Sequence, residues 1–192
     1  MESNEVAAAL LIVGVCASVK IALANCLLGL AFLVWLAALL RGRAAWRPSP
    51  LLLPLAAYIA VSLVSAVLSG DPGFSTSELG DLFTLAVVPM ALSLLDERRW
   101  EVLLKGLTMV AVTSSAVGLF QYLHGASSLA WRLHGLLNHY MTFSGWTLVV
   151  TLLVLGQVFF GPTRRSLLLA LPAAVGVTAL LLGLTRGAWI GL

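Results

Sequence analysis

From Leu167 to Thr185 the chain reads LLLALPAAVGVTALLLGLT, nineteen residues without a charge. A helix of about 20 apolar residues, rising ~1.5 Å per residue, crosses the ~30 Å hydrocarbon core of a bilayer. Runs of this kind recur along the sequence, and the recurrence restricts the architecture more than any other feature. Composition agrees, with 60% hydrophobic and 10% charged residues, where a soluble domain carries roughly a quarter charged. The expected fold class is all-α, a polytopic transmembrane helical bundle.

Spans are placed where apolar runs meet charge, which predicts about seven of them in a single transmembrane domain over residues 1–192. The first region, Ala7–Leu40, holds 34 residues with Lys20 and Asn25 in its middle. One straight helix of that length would measure ~51 Å, so two short helices with a break near Lys20–Asn25 fit better. Leu51–Ser69, Leu79–Leu95, Val102–Leu123, Met141–Phe160 and Ser166–Thr185 follow. Ser75 and Glu78 form a capping box that opens the helix after them. Pro89 and Pro172 lie inside spans and are expected to kink them, which membrane helices tolerate. A last apolar run opens at Gly187 and stops at "GAWIGL", so the chain is expected to be the N-terminal part of a longer membrane protein. Glu2 and Glu5 stand where a cleaved signal would carry positive charge, so the first span is expected to insert by itself. Cys16 and Cys26 read as small buried hydrophobes, with neither a disulfide nor a metal site.

Orientation comes from charge. Arg41, Arg43 and Arg47 share one loop, Arg98, Arg99 and Lys105 cluster at another, and Arg164 and Arg165 lie in a third. These eight of the eleven basic residues fall on alternate loops, and the positive-inside bias makes that side cytoplasmic. The calculated isoelectric point near 9.2 therefore speaks of orientation and not of nucleic acid.

Lys20, Arg132 and Arg186 are left on or near the opposite face. Charge in a membrane costs ~2.5–3.5 kcal/mol at a helix centre and marks candidate function. Arg186 has no acidic residue within twenty positions in this sequence. Its planar fork of donors suits phosphate or diphosphate; snorkelling to the interface is the competing reading. Gly183, Gly187 and Gly191 recur every four residues, a spacing suited to close helix packing. Snorkelling suffices for Lys20. The stretch "WRLHGLLNHYMTFSG" gathers Arg132, His134, His139, Tyr140 and Thr142 ahead of an apolar run. It reads either as an interfacial belt with Trp131 and Tyr140 as anchors or as the lining of a polar site. The H-x4-H spacing matches no zinc signature, and no metal or other cofactor is expected.

Two short motifs carry a resemblance. "HGLLNHYMTFSGW" resembles the stretch leading into a span of bacterial O-antigen ligases, with Asn138 standing where those proteins have a small residue. "LTRGAWIGL" is similar to the segment that opens the shared core of O-antigen ligases and O-antigen polymerases. "IALANCLLGLAFLVWL" is similar to their early span. The resemblance implies a GT-C-like glycosyltransferase of the bacterial inner membrane. Such an enzyme takes a glycan from undecaprenyl diphosphate on the periplasmic face and joins it to lipid A–core, in lipopolysaccharide biosynthesis. It implies no metal, a diphosphate-binding role for Arg186 with Arg132 assisting, and His134, His139, Tyr140 and Thr142 as cavity-lining residues. Family members place a further arginine and a histidine acting as base on a large periplasmic loop, which this sequence lacks; the catalytic base is therefore unassigned.

Three alternatives stay beside that reading. An O-antigen polymerase would share both motifs. A transporter or flippase would place ionisable residues near the bilayer midplane and show inverted repeats, whereas the unusual charges here gather toward one face and no repeat is found. A non-catalytic scaffold would leave Arg186 to snorkelling alone.

Overall fold

The structure is a computed structural model. It describes residues 2–69, 79–125, 132–137, 139–161, 163–183 and 185–192, and gives the backbone alone for Glu2, Leu79, Asp81, residues 163–166 and Arg186. The described residues are helical throughout their regular parts, with no strand among them. Among the described residues, three helices are long and apolar enough to cross a membrane: Ile21–Leu40, Glu97–Leu123 and Tyr140–Phe160. The chain divides into two compact units, Met1–Val102 and Leu103–Leu192.

The first unit opens with α1 (Glu2–Cys16), a 3₁₀ turn (Ala17–Val19) and α2 (Ile21–Leu40). The helix starts before Ala7, and the break falls at 17–20. Lys20 leaves helical geometry (φ −117°, ψ 92°) and precedes the first turn of α2, while Asn25 is helical. Fifteen α residues and a three-residue 3₁₀ turn rise ~28 Å together, and Ser3–Val19 is one of the shorter apolar helices. Lys20 is exposed at the turn, where its ammonium escapes burial.

α1 and α2 pack as an antiparallel hairpin, because Asn4 Nδ2 donates to Arg43 O at 2.8 Å across its open end. α3 (Leu52–Val67), a 3₁₀ segment (Leu79–Ala86) and α4 (Val87–Leu94) complete the unit. The Ser75/Glu78 capping box lies outside the described residues. Pro89 does not kink a continuous helix. The α-helical geometry begins only at Val87, which places Pro89 in the first turn of α4, where a missing N–H loses no intrahelical bond. Pro172 does lie inside a helix. The core joins Ala7, Ala8 and Leu11 of α1, Ala31 and Trp35 of α2, and Met90 and Leu94 of α4. Alanines on facing helices let the backbones approach closely. At the same end as Asn4 and Arg43, Arg99 bonds Glu5 and donates to Leu94 O at 2.7 Å. The chain start, the arginine loop and the Arg98–Arg99 turn therefore share one end of this unit, as the charge pattern requires.

α5 (Glu97–Leu123) carries the chain into the second unit, which also holds α6 (Tyr140–Phe160), α7 (Thr163–Leu182) and α8 (Arg186–Gly191). Its burial pattern is that of helices in lipid. Thr108, Ser114, Ser115, Ser144, Thr147 and Thr151 are buried, while Phe160 is 92%, Phe159 74% and Leu168 74% exposed. Small polar side chains face neighbouring helices beside a buried Phe143 and Leu180, and many large apolar ones face out, an arrangement that suits surroundings as apolar as leucine. Gly176 of α7 packs so closely on Thr151 of α6 that a Cβ there would overlap its hydroxyl.

Candidate functional site

Residues 132–137 form a short irregular segment pinned to the second unit. Leu133, Gly135 and Leu137 are buried, and His134 and Leu136 face out. Gly135 adopts φ +57°, and a Cβ on it would lie 2.5 Å from Ser114 Oγ and 2.6 Å from the Phe143 ring. Only glycine meets both the left-handed geometry and the close approach. The pin is Gln121 of α5. Its Oε1 accepts from the backbone N–H groups of His134 (3.2 Å) and Gly135 (3.1 Å), and its Nε2 donates to Gly135 O (3.0 Å). Ser114 Oγ accepts from Leu136 N at 3.1 Å. Four backbone groups off any helix ladder thus find partners on α5, and the two of buried Gly135 are satisfied as buried polar groups must be.

Arg132, half-buried, sets its guanidinium carbon 4.7 Å from the centroid of the Tyr140 ring. That is cation–π distance, and it fixes the arginine at the N-terminal end of α6. The Tyr140 ring also lies 4.5 Å from the His139 ring. The two histidines offer opposite chemistry. His134 Nδ1 lies 2.9 Å from Leu137 O. A carbonyl only accepts, so Nδ1 holds the proton in the neutral ring and Nε2 keeps its lone pair. His139 Nδ1 instead accepts from Met141 N at 3.2 Å and caps α6, so in the neutral ring Nε2 carries the proton and is a donor. Both histidines and Thr142 are exposed. A lone pair and a donor are thereby displayed near an arginine at one helix end.

The second motif meets the first directly. Thr185 Oγ1 and Ser144 Oγ are 2.9 Å apart, and Thr185 donates to Gly183 O at 3.2 Å. Trp189 Nε1 donates to Leu180 O at 3.1 Å. Gly191 lies against Leu148 closely enough that a Cβ would sit 2.8 Å from its side chain, and Gly183 is buried facing Ser144; Gly187 has open space around it. Two of the three spaced glycines thus serve packing. α8 is folded back on α6 and α7 and starts beside the first turn of α6. Arg186 opens α8; its side chain lies outside the described residues, as do Trp131 and Asn138. Ser144 stands four residues after Tyr140 on α6, a rise of ~6 Å. The segment bearing Arg132, His134, His139, Tyr140 and Thr142 and the backbone of Arg186 are therefore at the same end of the second unit.

Gln121, Ser114, Ser144 and Thr185 are the residues that sequence reasoning overlooked. Gln121 had a signal, an amide near the end of an otherwise apolar span. The hydroxyls had none, since serine and threonine occur throughout these helices. No group of three or more His, Cys, Asp or Glu gathers at metal-binding distance among the described residues. In comparisons with protein-family models, with curated proteins and with solved structures, nothing matches this chain.

Proposed function

We propose that this chain belongs to a membrane glycosyltransferase of the O-antigen ligase type, multi-pass in a bacterial inner membrane, which moves a glycan from undecaprenyl diphosphate to lipid A–core. The observation that carries the proposal is the Ser144–Thr185 hydrogen bond. Ser144 and Thr185, 41 residues apart in sequence, belong to two motifs that each resemble that family, and they meet at one end of one unit. Four shorter apolar helices accompany the three longest ones. We take these helices as the passes, about seven, of a GT-C-like bundle, and the three longest ones support that reading.

The site end of the second unit lies at the opposite end of α6 from the Arg164–Arg165 stretch. By the positive-inside bias that stretch is cytoplasmic, and the site faces the periplasm, where a lipid-linked glycan is presented. In the reaction an acceptor hydroxyl oxygen bonds to the anomeric carbon. The bond from that carbon to the diphosphate oxygen breaks, the diphosphate leaves with the electron pair, and the hydroxyl proton passes to a base. Negative charge grows on the leaving diphosphate. Arg132, held by Tyr140, and the Nε2–H of His139, whose ring caps α6, are donors suited to that charge and held in place before the reaction begins; Arg186, at the start of α8, is the donor the resemblance adds. The resemblance puts the base on a later periplasmic loop.

The test is transfer from undecaprenyl-diphosphate glycan to lipid A–core by the full-length protein. Arg186→Ala abolishes transfer, and Arg186→Lys restores little, because an ammonium lacks the bidentate fork. Wild-type transfer by the alanine variant at equal protein level removes Arg186 from the mechanism.

A further inference from the structure

The first unit carries a groove that the proposed reaction does not use. It has a volume of about 590 Å³ and lies between the Arg47–Pro50 stretch and the junction of α4 with α5. That volume is in the range of a small-molecule site. Leu92 and Leu95 give it an apolar wall, and Arg47, Asp96, Glu97 and Trp100 line its polar side. Its charges are unevenly committed. Asp96 accepts from Arg99 N at 2.8 Å and lies 3.9 Å from Arg99 Nε, so this carboxylate is engaged. Arg47 and Glu97 are exposed, and neither side chain makes a hydrogen bond or ion pair with another described residue. The groove thus offers one uncommitted guanidinium, one uncommitted carboxylate and an exposed indole beside leucines.

We infer that this groove binds the headgroup of a zwitterionic aminophospholipid, phosphatidylethanolamine in kind. Arg47 takes the phosphate, as guanidinium suits phosphate oxygens. Glu97 accepts from the ammonium, and the Trp100 ring supplies a face to the same cation. The upper acyl carbons run along Leu92 and Leu95. The position agrees: the groove sits among the arginine-bearing turns of its unit, where interfacial tryptophans and headgroups meet. Charge decides the lipid class. An anionic lipid would satisfy Arg47 and leave Glu97, with Asp96 beside it, facing a negative headgroup. A choline lipid would satisfy charge without giving Glu97 a hydrogen bond.

The experiment uses the full chain in nanodiscs of equal parts phosphatidylethanolamine, phosphatidylcholine and phosphatidylglycerol. The protein is then transferred stepwise to detergent, and retained lipid is identified by native mass spectrometry. Phosphatidylethanolamine is retained about tenfold over either competitor, the worth of one charge-assisted hydrogen bond. Glu97→Gln removes that preference while keeping some retention, and Arg47→Ala lowers retention of all three. Both substitutions are at exposed positions, and circular dichroism checks that helix content is unchanged. Equal retention of the three lipids, a preference for phosphatidylglycerol, or undiminished preference in Glu97→Gln overturns the inference.

Discussion

Replacing Gln121 by leucine isolates the clamp that shapes the Arg132–Leu137 segment. The side chain satisfies three backbone groups at 3.0–3.2 Å. The His134 N–H belongs to an exposed residue and finds water in the variant. The N–H and C=O of Gly135, a buried residue, do not. Each buried group left unpaired costs about 1–3 kcal/mol, so the segment loses about 2–6 kcal/mol. Against that, burial of Leu133 and Leu137 contributes about 1.5–3 kcal/mol each. The two terms are comparable, so the segment opens locally while α6 stays folded. Amide hydrogen exchange on the full chain in micelles reads this directly. A loss of 2 kcal/mol, the lower bound, speeds exchange at Gly135 and Leu136 by about 30-fold, with α6 amides unchanged. Gln121→Glu keeps the acceptor and loses the donor to Gly135 O, so it falls between wild type and leucine. Wild-type exchange at Gly135 in Gln121→Leu, or an equal rise throughout α6, would refute the reasoning.

Other predictions follow from the same contacts. Gly42 and Gly135 both have positive φ, +65° and +57°, but only Gly135 is crowded. Gly42→Ala therefore costs about 1–2 kcal/mol from backbone geometry alone, and Gly135→Ala costs more in thermal unfolding; equal costs would contradict the close contact with Ser114. A double-mutant cycle of Ser144→Ala with Thr185→Val yields a coupling of about 0.5–1.5 kcal/mol, and zero coupling would separate the two motifs. The Glu5–Arg99 pair is partly solvated, with side chains 63% and 24% exposed. Its cycle gives less than about 1 kcal/mol, shrinking as salt rises; a larger, salt-independent coupling would contradict the exposure of the pair.

The helical class was legible because length and apolarity are local properties of the chain. Lys20 announced the first break, since a charge in a run too long for the bilayer must lie near a turn. Asn25 announced nothing of the kind, because an amide is tolerated within a helix that packs on a partner. Pro89 misled for a related reason. Proline costs little in a first turn, and where that turn begins depends on the 3₁₀ segment before it. At the site, the motifs were visible but their joining was not. Ser144 and Thr185 are ordinary residues until folding places their hydroxyls together, and the tyrosine under Arg132 is a neighbour in space that spacing alone does not name. The opposite tautomers of His134 and His139 likewise follow from backbone partners that exist only in the fold.

Binding of a polyprenyl diphosphate to the full chain in detergent tests most directly whether this helix end grips a lipid-linked diphosphate. The wild type binds the diphosphate at least about tenfold more tightly than the corresponding monophosphate, and Arg132→Ala and Arg186→Ala each weaken binding by about tenfold or more, the worth of a lost charge-assisted contact. Equal affinity for both lipids, unchanged in either alanine variant, would contradict it.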